Sequence, residues 1–386
     1  MKAFAWCFAS VFVCIALLVN DISACTTFCL KNHGEVLFGK NYDWMIGDGL
    51  IFVNKRGVVK SATAEGARNP AKWVSKYGSV TFNQYGRENP SGGMNEAGLV
   101  IELMWLDDTE WPKPDARPSI GTLEWIQYQL DSSGTMNEVI ANSEKVRIQS
   151  DVKIHYLVND KSGNTATIEY IGGKLVPHTG SKLPVPALTN DTYEKSLNYA
   201  RNATDSIGQN SLDRFARTAG RTKEFAARPR TEQEAVDYAF DVLQNVAQKD
   251  STAWSIVYDQ KRGKIHFRTL KHPAVKNIDP KSFDYSCSSA VKMLDIDQAE
   301  SGDATARFLN YSLKANRDLI ERSFNRTPFL KGLPQQFKDL AASYPDSFQC
   351  SAKPGKTEAP MMPVSKNDRS VMASIVMLVV RQMVSI

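Results

Sequence analysis

Histidine and cysteine are both scarce in this chain of 386 residues, and each scarcity excludes something. The five histidines (His33, His155, His178, His266 and His272) are scattered, with no second ligand three to five residues away, so the sequence contains no metal-site spacing and no zinc site is expected. Of six cysteines, Cys7 and Cys14 fall in an apolar leader, leaving Cys25, Cys29, Cys287 and Cys350. That is not a disulfide framework. One bridge among the last three suits an oxidising compartment, while Cys29, alternating with Thr27 along a strand, reads as a small buried apolar residue. Blocks of like charge are missing as well. The formal net charge of +5 is dispersed, with no stripe of Lys and Arg between aromatics, which argues against a nucleic-acid surface. Near the C-terminus the apolar stretch Val371 to Val380 is halted by Arg381 and is too short to cross a bilayer, so no stable membrane span is expected. No repeat of fixed period is apparent.

What remains is the composition of an ordinary globular protein, 42% hydrophobic and 23% charged, with 23 Gly and 17 Pro. The first residues carry one cation at Lys2, an apolar stretch from Ala3 to Val19, then Asn20-Asp21-Ile22-Ser23-Ala24. This is the layout of a secretory signal ending in small residues; a first core helix would need a cap that is absent here. Export to a periplasmic or secreted location is expected, and cleavage after Ala24 leaves Cys25 as the first residue. The chain then divides into a signal peptide (1–24), one catalytic domain (25–350) and a linker-like tail with a short apolar end (351–386).

Strand patterns open the mature chain. Residues 25–31 and 35–39 flank the turn Asn32-His33-Gly34, "LIFVNKRGVVKSA" (50–62) reads as a hairpin turning at Lys55-Arg56-Gly57, and "GGMNEAGLVIELMW" (92–105) pairs a glycine-rich turn with an apolar run. Two helical segments follow: one is "GTLEWIQYQL", and the other opens with the capping box Thr135-x-x-Glu138. A hairpin over 153–178, a helical region near 193–219, a helix capped at Thr231-x-x-Glu234 and a hairpin over 252–270 complete the pattern, with 300–345 helical and peripheral. Hairpins and helix pairs without strand-helix-strand alternation predict an α+β fold of antiparallel sheets covered by helices.

A cysteine that becomes residue one carries a thiol and a free α-amine on one framework. The amine, with a reference pKa of about 7.7 to 8.0, titrates where a general base works best, so no histidine partner is required. Cys25-Thr26-Thr27, "GKNYDW" (39–44), "GGMNEAGL" (92–99), "ALTND" (187–191) and "LDRFAR" (212–217) occur in the order and at about the spacings of the choloylglycine hydrolase family, which this sequence resembles over roughly 25–270. That family of N-terminal-nucleophile amidases includes conjugated bile salt hydrolases and penicillin V acylases. The resemblance implies a four-layer αββα sandwich of two antiparallel sheets, a homo-oligomer, commonly a tetramer, and no metal or organic cofactor. It also implies roles. Cys25 is the thiol nucleophile, Asp43 the carboxylate that orients its amine, Asn190 the side-chain donor of an oxyanion hole, and Arg214 the cation that steadies the nucleophile's surroundings.

Two positions depart from the pattern. Lys40 stands where many members have an arginine, keeping charge near the thiolate but losing the two-pronged geometry. Trp105 aligns where many bile salt hydrolases carry an asparagine; its backbone N–H is a candidate second oxyanion donor, and with Trp44 it suggests an aromatic wall for an acyl group. The expected partner is a small-molecule N-acyl amide of the penicillin V, conjugated bile salt or N-acyl homoserine lactone type. A ceramidase-like lipid amidase is a second enzymatic reading. Ile22-Ser23-Ala24-Cys25 also fits a bacterial lipoprotein modified at Cys25, although the strand character of Thr26 to Leu30 is unlike a lipid tether.

Overall fold

Why the chain meets itself at Cys25 follows from the pairing of its strands. The computed structural model describes residues 25–63, 69–203 and 208–352; the predicted signal and the apolar end of the tail lie outside the described residues. In chain order the strands are β1 (Thr26–Asn32), β2 (Glu35–Asp43), β3 (Leu50–Asn54), β4 (Val58–Ser61), β5 (Lys72–Val74), β6 (Ser79–Asn83), β7 (Gly92–Asn95) and β8 (Val100–Trp105). A short parallel pair follows, β9 (Ser119–Ile120) and β10 (Arg147–Ile148), then β11 (Ile154–Asn159), β12 (Thr165–Ile171), β13 (Lys174–Thr179) and β14 (Ala187–Leu188). After a helical stretch come β15 (Thr252–Asp259), β16 (Lys264–Thr269), β17 (Lys276–Ile278), β18 (Lys292–Asp295), β19 (Gly302–Asp303), β20 (Leu309–Asn310) and β21 (Gln349–Cys350). The helices are α1 (Thr122–Ser132), α2 (Met136–Ser143), α3 (Tyr193–Asn202), α4 (Ser211–Ala226), α5 (Glu232–Asn245), α6 (Leu313–Arg326) and α7 (Gln335–Ser343).

Two large sheets result. The first has the order β14-β1-β2-β15-β16-β17-β19, antiparallel except for β17 beside β19, and the second the order β13-β12-β11-β8-β7-β6-β3-β18-β20. Helices α4 and α5 lie on β1, β2 and β15, and α1 and α2 on β7, β8 and β12, which gives the four layers of the expected αββα sandwich. One core fills the space between the sheets and under α4 and α5, with Phe28, Phe38, Phe82 and Tyr258 at its centre; a second lies beneath α1, around Trp125, Tyr156 and Ile168. The capping boxes read at Thr135 and Thr231 are both formed.

Three local expectations are corrected. The 50–62 segment holds two strands that do not pair with each other: β3 pairs with β6 and β18, while β4 joins a small sheet with β5 and β21. Contacts distant in sequence capture each half, since Arg56 N–H donates to the Tyr285 carbonyl and Gly57 N–H to the Ser75 carbonyl, and they outweigh the local turn composition. Gly92 and Gly93 sit within β7 rather than in a turn. A Cβ on Gly92 would lie 2.1 Å from the Glu102 carboxyl, so glycine here makes room for a buried side chain on the neighbouring strand. The 300–345 segment is helical as read, but it is not merely peripheral, because α6 packs against the loop that carries Trp44, described below. Cys287 and Cys350 form a disulfide that ties β21 to the chain before β18, and Cys29 is buried and free.

Candidate active site

The hairpin β1–β2 builds the first part of the site. Thr26 pairs with Asn41 and Thr27 with Lys40, so the register brings Cys25 beside the end of β2 and the Asp43 backbone; the thiol sits 3.8 Å from the Asp43 carbonyl. Alternation then sorts the side chains. Lys40 and Tyr42 turn toward the second sheet, with the Lys40 ammonium donating to the Leu103 carbonyl on β8, and Asn41 turns toward α5. Gly39 is small because the Phe28 ring covers it, at 2.3 Å from where a Cβ would be.

Cys25 is 4% exposed, and burial pushes its thiol up, against which the Lys40 and Arg214 cations work. Asp43 is fully buried. One carboxylate oxygen accepts from the Thr252 hydroxyl, and the other, Oδ2, has no hydrogen-bond partner among the described residues. Burial raises this carboxyl to about 6, with Thr252, Arg214 and Lys40 all acting in the opposite direction. An acceptor oxygen left unpaired in a buried site is costly unless a donor arrives, and an α-ammonium on Cys25 would be such a donor.

Arg214 reaches the site from the first turn of α4 and is 1% exposed. Its Nη1 donates to the Cys25 carbonyl at 2.8 Å and to the Thr26 hydroxyl at 2.7 Å, and its Nη2 donates to Asn190 Oδ1 at 2.8 Å. A guanidinium only donates, so the amide oxygen of Asn190 must face it. The amide nitrogen therefore faces the other way, where it donates to the Trp105 carbonyl at 3.0 Å. One of its two hydrogens is used there and the second is left for an incoming oxygen.

Trp105 ends β8. Leu103 N–H donates to the Ser91 carbonyl on one side of that strand, and Leu106 N–H donates to the Lys153 carbonyl on the other. Strand alternation turns the Trp105 N–H to the Leu103 side, the side on which its carbonyl meets Asn190. Two donors thus converge at one edge. The Trp105 and Trp44 rings, both half-buried, lie side by side with centroids 6.4 Å apart and planes 27° apart. Trp44 Nε1 donates to the Tyr85 hydroxyl at 2.9 Å, which meets the Thr327 hydroxyl at 3.1 Å, just beyond the C-terminus of α6; Asp48 in the same loop pairs with Arg322 and Arg326 of α6.

All the residues singled out in the sequence, Cys25, Lys40, Asp43, Trp44, Trp105, Asn190 and Arg214, are brought into one region by this topology. Sequence reasoning missed five others. Glu102, buried between the sheets, accepts from the Tyr258 hydroxyl at 2.6 Å and feels the Lys40 charge. Tyr85 braces Trp44, and Thr252 bonds Asp43. His155 meets Glu169 beneath Asn190, a pairing hidden by treating each histidine singly. The glycine at position 92, opposite Glu102, was the one sequence signal that something bulky needed space there.

A buried cysteine at a strand start with a carboxylate behind it, set in an αββα sandwich of two antiparallel sheets, has the fold of the N-terminal-nucleophile hydrolases. The profile of "Linear amide C-N hydrolases, choloylglycine hydrolase family" matches residues 25–204. Penicillin V acylase from Agrobacterium tumefaciens is 30% identical and superposes with a TM-score of 0.66, covering 74% of this chain and 98% of that one. Penicillin V acylase of Pectobacterium atrosepticum is 28% identical over 264 residues, 56% of this chain and 69% of that protein. A variant of the conjugated bile acid hydrolase of Clostridium perfringens, at 15% identity and a TM-score of 0.59, covers 72% of this chain and 98% of its own and shares the fold. The chain belongs to the choloylglycine hydrolase family of linear amide hydrolases. Among the described residues no helix is long and apolar enough to cross a membrane.

Proposed function

We propose that this protein is exported and processed to begin at Cys25, and that it hydrolyses the amide bond of an N-acyl substrate of the penicillin V type through a thioester on that cysteine. The observation that carries the reading is the Arg214 fork, which ties the carbonyl of Cys25 to the side chain of Asn190 and so fixes the nucleophile relative to the oxyanion donor.

The Cys25 sulfur attacks the amide carbonyl carbon while its proton passes to the α-amine, which Asp43 holds through its unpaired Oδ2. The oxyanion takes the second hydrogen of Asn190 Nδ2 and the Trp105 N–H, donors already in place before charge develops. Collapse breaks the carbon–nitrogen bond, and the α-ammonium delivers its proton to the departing amine. Water then attacks the thioester, gives a proton to the same amine, and the acid leaves as the thiol is restored. Trp44 and Trp105 supply a flat wall suited to a phenoxyacetyl group. Conjugated bile salts and N-acyl homoserine lactones share the apolar acyl part and complete the panel to be tried.

Export is supported by the Cys287–Cys350 disulfide, which suits an oxidising compartment. Burial of Cys25 at the start of β1 disfavours a lipid attached there, since a tethered lipid needs its residue outside the core. The test is the intact mass of protein from an exporting host together with turnover of penicillin V. A free N-terminal Cys25 and release of phenoxyacetate are expected, with the release lost on Cys25→Ala. A lipidated Cys25, or hydrolysis undiminished by Cys25→Ala, would overturn the reading.

A further inference from the structure

Beneath Asn190 lies a buried pair that the reaction itself does not use. His155 on β11 and Glu169 on β12 project from the second sheet toward the loop that leaves β14, and both are buried, at 0% and 1% side-chain exposure. His155 Nε2 lies 2.8 Å from the Thr189 carbonyl. A carbonyl only accepts, so Nε2 carries a hydrogen. On the other side of the ring, Nδ1 lies 3.1 Å from Glu169 Oε1. Two bare acceptors would repel each other there, so a second hydrogen must lie between Nδ1 and Oε1. The same Oε1 accepts the backbone N–H of Tyr193, the first residue of α3, at 2.9 Å, and Oε2 faces His178 Nδ1 at 3.4 Å.

The consequence is local. His155 grips the residue before Asn190, and Glu169 grips the residue three beyond it. Among the described residues, Asn190 itself is held by its N–H on the Ser211 hydroxyl and by its side-chain contacts to Arg214 and Trp105. Those contacts come from α4 and β8, and the His155–Glu169 pair ties the backbone that carries the amide to the second sheet.

We propose that His155 and Glu169 are positioning residues for the oxyanion donor, a doubly hydrogen-bonded pair that fixes the Thr189–Tyr193 backbone so that Asn190 Nδ2 meets the transition state rather than the bound substrate. The proposal rests on the assignment of Asn190 above. Misplacing a catalytic group by about 1 Å costs up to about 100-fold in rate, and this is the size of effect the pair controls.

The experiment compares His155→Phe, which loses both hydrogen bonds, with His155→Gln, whose amide N–H can reach the Thr189 carbonyl. Kinetics on penicillin V and the rate of Cys25 alkylation by iodoacetamide are measured for folded protein. Expected for His155→Phe is a fall in kcat of about 10- to 100-fold with KM and alkylation rate near those of wild type, and recovery of most of kcat in His155→Gln. Unchanged kcat in His155→Phe, or a parallel loss of kcat and alkylation, would overturn the proposal. If His155→Phe does not fold, Glu169→Leu against Glu169→Gln makes the same comparison, because an amide oxygen at the Oε1 position still accepts from the Tyr193 N–H and from His155 Nδ1. Asn190→Leu, run alongside, separates the two readings: retained kcat there removes the oxyanion assignment, whereas loss there with none in His155→Phe removes only this inference.

Discussion

Arg214 Nη2 donates to Asn190 Oδ1 at 2.8 Å, and the same guanidinium holds the Cys25 carbonyl through Nη1. A planar fork spans both acceptors, and a lysine ammonium is a single point of donation that cannot hold the amide orientation and the strand start together. Arg214→Lys is therefore expected to lower kcat by about 100-fold, the scale of losing an aligned oxyanion donor. KM changes little and the protein stays folded. Steady-state kinetics with a thermal melt check this; a variant with wild-type kcat would show that the fork is not needed for alignment.

Thr252 offers a handle on the acid side of the reaction. Its hydroxyl donates to Asp43 and is the largest of the influences that oppose burial, which has raised that carboxyl to about 6. Thr252→Val keeps the shape and removes the donor, so Asp43 rises further and its ionised form, needed to hold the α-amine, is present only at higher pH. The acid limb of kcat/KM against pH should move upward, while Thr252→Ser leaves it in place. A limb that stays fixed in Thr252→Val would mean that another group controls it.

How much of this was legible in the sequence depended on whether a feature was local. Cys25, Asp43, Asn190 and Arg214 stood inside short motifs whose order survives as geometry, and the capping boxes at Thr135 and Thr231 involve atoms three residues apart. Antiparallel sheets covered by helices followed from the hairpins and helix pairs, and the four-layer αββα order was implied by the family resemblance. Misreadings arose where a distant partner decided the outcome. Lys55-Arg56-Gly57 has turn composition, yet its flanking strands pair with residues far along the chain, and Gly92 has the look of a turn glycine until Glu102 is placed opposite it. Tyr85 and Thr327 are 242 residues apart, so no pattern within a window can reveal that α6 braces the Trp44 loop. His155 read alone is a core histidine, and only the fold supplies Glu169.

Glu102 connects the site to stability. Burial raises its carboxyl from an ordinary 4.5 to about 7, opposed by Lys40 and the Tyr258 hydroxyl. The folded protein keeps this proton where the unfolded chain has already released it, so the contribution is complete below about pH 4.5 and lost as pH rises through about 7. A shift of this size corresponds to about 3 kcal/mol. Glu102→Gln keeps the acceptor for Tyr258 and does not titrate. Relative to wild type, it should gain about 3 kcal/mol of stability between pH 4 and pH 8. Urea denaturation at the two pH values measures it, and equal differences at both would show that Glu102 does not hold its proton in the fold.

The acyl wall should answer to a residue that does not line it. Trp44 Nε1 donates to the Tyr85 hydroxyl, which is joined to Thr327 after α6 and whose ring lies 6.2 Å from that of Phe324. Tyr85→Phe keeps the ring packing and removes the anchor of the indole, leaving an N–H in a half-buried site without its acceptor; the loss is about 1 kcal/mol, or some fivefold in an equilibrium. Because Trp44 faces Trp105, that freedom should weaken flat acyl groups more than flexible ones. The ratio of kcat/KM for phenoxyacetyl over straight-chain acyl amides should fall by about this factor, with Cys25 alkylation unchanged. A Trp44→Ala control fixes the origin of the effect. If Trp44→Ala alters the ratio and Tyr85→Phe does not, the indole holds its place without α6; if neither alters it, the paired tryptophans do not contact the acyl group.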